Sequence, residues 1–88
     1  MIGIAFELND FIEAELVSVS PTGKTKVHNI RSIANKGLLG SVYWFGAWRK
    51  YIFNPMPSCI FDEKCLRAIA DFLKVINEEH KSKRKVRK

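Results

Sequence analysis

The residues best suited to chemistry in this chain are cations set among aromatic rings. Lys24, Lys26, Arg31, Lys36, Arg49 and Lys50 all fall within residues 24–58, a segment without one Asp or Glu. Inside it, LGSVYWFGAWRKYIFNP (residues 39–55) holds six of the ten aromatic residues and both tryptophans. Rings that stack on bases, beside cations that neutralise phosphates, are the chemistry of single-stranded nucleic-acid binding. Tyr43, Arg49, Lys50 and Tyr51 are the candidates within the stretch, and Lys24, Lys26 and Arg31 precede it. A second basic run near the C-terminus, Lys83, Arg84, Lys85 and Arg87, would add phosphate contacts that position a strand without reading its sequence.

Catalysis has far less support. His28 has no acid near it in sequence, and His80 stands beside Glu79. No Ser/His/Asp order and no carboxylate–histidine metal cluster can be found. Gly23-Lys24-Thr25 matches the end of a phosphate-binding loop, but the glycine such a loop needs at position 18 is Ser18. A pairing of Cys59 with His28 has nothing to support it. Cys59 and Cys65 are too few for a disulfide scaffold and lack partners for a zinc site, so they read as half-buried thiols. The chain is therefore expected to be non-catalytic, with no cofactor, no metal and no small-molecule substrate.

The elements that position these residues must be few. Eighty-eight residues make one domain, in which every large apolar side chain is in demand. No apolar run is long enough to cross a membrane. The acid-bearing N-terminal segment lacks the basic start of a secretory signal, which points to a cytoplasmic protein. Charge alternates along the chain. Glu7, Asp10, Glu13 and Glu15 are unopposed in residues 1–23, while the 59–79 segment is again acidic on balance. The blocks can pair within the fold or leave one basic surface for an anionic partner.

Residues 4–19 read as strand or helix, with strand composition favoured in the later half, near 11–19. Ser20 to Lys24 is a turn. Thr25 to Ile33 also carries both signals and reads better as a strand over 25–32, followed by a loop through Asn35-Lys36-Gly37. Leu39–Trp44 and Trp48–Phe53 form a hairpin about Phe45-Gly46-Ala47. Alternation puts Val42, Trp44, Trp48 and Ile52 on the core face, and leaves Tyr43, Arg49, Tyr51 and Phe53 outside. Pro55 and Pro57 end the strand. A helix follows over about 62–79, capped by Asp62, with Phe61 and Leu66 at hydrophobic-staple positions. Leu66, Ile69, Ala70, Leu73 and Ile76 form its apolar stripe. The expected architecture is α+β: a small antiparallel meander of three to four strands packed by one C-terminal helix. Residues 1–80 form the domain, and 81–88 a basic, disordered tail.

The run Lys24–Val27, the stretch Leu39–Tyr51 with its Trp44-Phe45-Gly46-Ala47-Trp48-Arg49 centre, Phe53-Asn54-Pro55, and Cys65-Leu66 with Ile69–Leu73 together resemble a family of small uncharacterised proteins. These occur in bacteriophages, prophages and bacterial genomes. The resemblance covers roughly residues 24–77 and implies the hairpin-and-helix fold, but no activity. Where many relatives carry an aromatic residue, this chain has His28. Two roles fit. One is nucleic-acid binding through the basic aromatic hairpin and tail. The other is a protein-interaction module that binds and modulates a host protein, for instance in defence or nucleic-acid handling. Exposed Trp, Tyr and Arg are the usual interface anchors. An open edge strand would also permit a homodimer.

Overall fold

The computed structural model describes residues 4–86, with side chains through Lys81. Five strands form one antiparallel meander in the order β1-β2-β3-β4-β5. They are β1 (Ala5–Glu7), β2 (Ile12–Val19), β3 (Lys26–Ser32), β4 (Leu38–Phe45) and β5 (Lys50–Pro55), followed by the helix α1 (Glu63–Val86). The α+β class is as expected, but the sheet has five strands where three to four were expected. The additional one, β1, is three residues long, too short for alternation to reveal it.

Register sorts the faces. Ala14 stands opposite Phe6 on β1 and Ile30 on β3, and Ile30 stands opposite Gly40 on β4. His28 lies opposite Leu16 and Val42, and Val42 opposite Phe53. All of these point to one face, because side chains alternate with a period of two. That face carries the core: Ile12, Ala14, Ile30, Val42 and Tyr51, closed over by Ile69 and Phe72 of α1. Each fully buried aliphatic side chain contributes about 1.5–3 kcal/mol of transfer free energy. With so few, no position is idle.

The helix begins as its sequence dictates. The Asp62 carboxylate accepts the Cys65 N–H at 2.8 Å, and the Asp62 carbonyl accepts the Leu66 N–H at 3.0 Å. That bond from the Cys65 N–H, more than any other influence, holds the Asp62 carboxyl below its ordinary range. The staple does not form as expected. Leu66 is half exposed, and Phe61 meets Phe53 edge-on at 5.6 Å instead. At its other end α1 runs on to Val86, past the expected end near 79, so its backbone takes in most of the segment read as a tail.

The β4–β5 hairpin corrects the sequence reading most. Phe45 pairs with Lys50 and Trp44 with Tyr51, so residues 46–49 form the turn and β5 starts at Lys50, not Trp48. The carbonyl of Phe45 accepts both the Trp48 and the Arg49 N–H, and Arg49 takes φ 56°. A shift of the strand start changes which residues face the core. Tyr51 is therefore buried at 5% exposure, Phe53 packs against the core, and Trp48 is 66% exposed. Val42 and Trp44 face the core as expected.

Gly40 marks the closest approach in the sheet. A Cβ there would lie 2.6 Å from a Phe53 ring carbon and 2.7 Å from the Asn54 carbonyl oxygen. Backbone cannot yield as a flexible side-chain end can. Gly40→Ala is expected to destabilise the fold by about 1–3 kcal/mol, the usual penalty of overpacking. Urea unfolding should show the midpoint fall without a change in slope.

Candidate functional site

The meander and helix bring three segments to one end of the molecule. β2 and β4 run toward it, and β3 and β5 leave it. The turns at Ser20–Thr25 and 46–49 therefore lie there together. α1 runs antiparallel to β5: the Asn77 side-chain oxygen accepts the Tyr51 N–H at 2.8 Å, and the His80 ring lies 4.4 Å from Trp44. The C-terminal end of the helix thus reaches the same pole.

This pole is basic. Lys24 is exposed in the first turn, where Gly23 at φ 76° and a 2.8 Å bond from its N–H to the Ser20 carbonyl set the bend. Lys26 opens β3 half-buried, Arg49 and Lys50 are exposed at the second turn, and Lys81 is exposed on α1. Among the described residues none of these five cations forms an ion pair, which is consistent with an open basic surface. Lys83, Arg84 and Lys85 continue the helix backbone; their side chains, and Arg87 altogether, lie outside the described residues.

Aromatic residues adjoin the cations. Phe45 and Lys50 are cross-strand partners, as are Tyr43 and Ile52, and these four share the sheet face that α1 leaves uncovered. Trp48 meets Phe45 edge-on at 5.2 Å. The stripe Tyr43, Phe45, Trp48 with Lys50 differs from the expected one. Trp48 and Phe45 enter it, and Tyr51 leaves it for the core. The signal that would have found them is the turn length, since a turn over 46–49 fixes both faces at once.

Arg31 does not belong to this pole. It lies at the opposite end of β3, where its Nε donates to Glu15 at 2.8 Å and its Nη1 donates to the Lys36 carbonyl at 3.1 Å. Lys36 in turn reaches Glu13 at 3.0 Å, whose side chain is only 11% exposed. The N-terminal acids thus neutralise two bases of the 24–58 segment and leave the others free at the far pole.

Beneath the basic pole, on the helix side of the sheet, lies a cleft of about 340 Å³. Lys24, Lys26, His28 and Tyr51 line it from the sheet side, and Glu79 and His80 from α1. His80, which sequence places only beside Glu79, is half-buried here against Trp44. The Tyr51 hydroxyl accepts the Lys26 N–H at 3.1 Å, and burial outweighs that bond to push the phenol above its usual range. His28 is buried between Phe6 and Phe72, and among the described residues its Nδ1 has no hydrogen-bond partner. Among the described residues no three His, Cys, Asp or Glu side chains gather to hold a metal ion, and no helix is long and apolar enough to cross a membrane.

Burial, and then the charge of Lys26, pull the His28 imidazole below its ordinary 6.5. The unfolded chain therefore takes up this proton before the folded one does. The stability associated with His28 is complete above pH 6.5 and is lost as pH falls toward the lowered folded value. The loss is expected to reach at most about 1.4 kcal/mol per pH unit in that window. Urea unfolding of the wild type and of His28→Phe at several pH values between 7.5 and about 5 would check this. The stability of His28→Phe relative to the wild type should hold steady down to about pH 6.5 and rise as the pH drops below it.

No family model matches the chain, and no solved structure matches it. The chain is 32% identical over 69 residues to the "Uncharacterized 9.3 kDa protein" of Acholeplasma phage L2, an alignment covering 76% of this chain and 87% of that protein. Likeness over most of both sequences shows that the chain belongs to a family of small uncharacterised phage proteins.

Proposed function

We propose that this phage-family protein binds single-stranded nucleic acid, without catalysis, through its basic pole and the aromatic stripe beside it. The observation that carries the reading is the gathering of Lys24, Lys26, Arg49, Lys50 and Lys81 at one end, free of ion pairs among the described residues, next to a Trp48 that is 66% exposed. Cations track the phosphates while rings accept bases, a combination tolerant of sequence. The neutralised Glu13–Lys36 and Glu15–Arg31 pairs at the other end give the molecule a direction along which a polyanion is drawn in. Lys83, Arg84, Lys85 and Arg87 extend the positive charge in sequence.

Arg49 adds a specific argument. Its backbone is left-handed at φ 56°, a conformation costing about 1 kcal/mol for a residue with a Cβ. Glycine would sit there without strain, so the side chain has a use that the turn itself does not require.

A second reading rests on the same exposed Trp48–Arg49 pair. Tryptophan and arginine anchor protein interfaces, so the stripe also suits a host protein.

The two readings part on salt. Fluorescence anisotropy with a labelled oligonucleotide should show affinity falling steeply as salt rises, with a log–log slope of about −0.7 per phosphate neutralised. Arg49→Gly with Lys50→Ala is expected to flatten that slope by about one to two while leaving stability equal or higher. Trp48→Ala should weaken binding by about 1–3 kcal/mol with the slope unchanged. Absence of any affinity for DNA or RNA at low salt would overturn the nucleic-acid reading. A stoichiometric protein recovered from nuclease-treated host lysate would then favour the second.

A further inference from the structure

We infer that the cleft beneath the basic pole is a binding site for a single nucleotide unit, a planar base joined to a 5′-phosphate. This rests on the proposed nucleic-acid reading for its biological setting, but its geometry lies on the opposite side of the sheet from the aromatic stripe. The cleft measures about 340 Å³, at the small end of ligand-sized cavities and suited to one ring system with a phosphate.

Its walls divide by chemistry. Phe6, Val75 and Ile76 give an apolar lining, although Phe6 and Val75 are themselves about half exposed. Tyr51 and His80, whose ring centroids lie 6.2 Å apart, add aromatic surface against which a base can lie. Lys24 and Lys26, without an ion pair among the described residues, supply two ammonium groups for a phosphate. Glu79 is the one carboxylate in the lining. It disfavours a bare anion, yet it can accept from a ribose hydroxyl or an exocyclic amine, which nucleotides carry and inorganic phosphate does not.

Two hydrogen-bonding groups point the same way. His28 is only 6% exposed, lines the cleft, and has a buried Nδ1 with no partner among the described residues. A buried nitrogen left without a hydrogen bond is destabilising. The Tyr51 oxygen already accepts the Lys26 N–H, which leaves its own proton to donate. A cleft lined by an imidazole, a phenol, two ammonium groups and a carboxylate suits a ligand with both charge and directional polar groups. A lipid tail or a simple anion would leave most of these unmatched.

The ligand chemistry has two sources: a free mononucleotide, or one nucleotide of a strand held at the pole. The test uses the full chain, isotope-labelled, titrated with uridine and adenosine 5′-monophosphates, with the unphosphorylated nucleosides, and with a short oligonucleotide. Saturable amide shifts at Lys26, His28, Val75 and Glu79 on adding a mononucleotide are expected, with nucleosides at least about tenfold weaker because the charge-assisted contacts are lost. Lys24→Ala with Lys26→Ala should weaken the mononucleotide by a similar factor. Competition between mononucleotide and oligonucleotide assigns the cleft to a nucleotide of the strand. Independent binding assigns it to a free nucleotide. No saturable shift at these residues while the oligonucleotide still binds would overturn the cleft and leave the pole standing. Mononucleotide binding without oligonucleotide binding would do the reverse. Shifts from inorganic phosphate equal to those from the nucleotides would also overturn the inference, since the ring and ribose would then contribute nothing.

Discussion

The register of the β4–β5 hairpin is the constraint on which the rest depends. With Phe45 opposite Lys50, the turn over 46–49 is closed by two N–H groups on one carbonyl. Tyr51 then points into the core, where its hydroxyl meets the backbone of β3 and its own backbone meets Asn77 of α1. One residue, through its hydroxyl and its backbone N–H, thereby ties together a hairpin, its neighbouring strand and the helix. Asn77 also takes up the outward-facing N–H of an edge strand, which blunts that edge against pairing with another chain. A different register would put Trp48 in the core and Tyr51 in water, and both the stripe and the cleft would be gone.

Charge follows from the same topology. A meander sends alternate turns to opposite ends, so bases that are neighbours in sequence are separated in space. Arg31 and Lys36 go to the end where Glu13 and Glu15 wait on β2. Lys24, Lys26, Arg49 and Lys50 go to the other, and the helix carries Lys81 to join them. The acidic and basic blocks of the sequence therefore both pair and segregate. Pairing neutralises one pole, while the bases without an ion pair among the described residues gather at the other with Glu79 beside them.

The α+β class, the Asp62 cap and the main strands were legible because each rests on a local signal: alternation, a capping residue, a turn glycine. The face of β5 was not, since it hangs on where a turn ends, and Gly46 within the turn suggested a tighter bend than the one that forms. Arg49 in a left-handed conformation is what allows the longer turn, and nothing in an arginine announces it. Of the candidate cations, Lys24, Lys26, Arg49 and Lys50 do meet at one pole, whereas Arg31 does not. That separation follows from the place of Arg31 at the far end of β3, where Glu15 of another strand pairs with it. The cleft was illegible altogether, because His28, Tyr51 and His80 come from three elements and only packing makes them neighbours.

Local costs in this fold are unevenly placed. The opposite pole also holds a left-handed residue, Lys36 at φ 61°, but its carbonyl accepts from Arg31, its N–H donates to Ser32 and its ammonium reaches Glu13. Each group there has a compensating contact within the fold. At the basic pole the left-handed Arg49, the exposed Trp48 and the Nδ1 of His28 have none that involves their side-chain polar groups among the described residues. In a domain whose net stability is a small difference between large terms, such features persist most readily where a bound partner supplies the missing contacts. Ser58, left-handed in the loop before α1, and Ile60, 92% exposed, lie outside this pattern and have no physical account in the fold. The left-handed Arg49, the exposed Trp48 and the buried Nδ1 of His28 lie toward one end, the end at which the proposed binding would act.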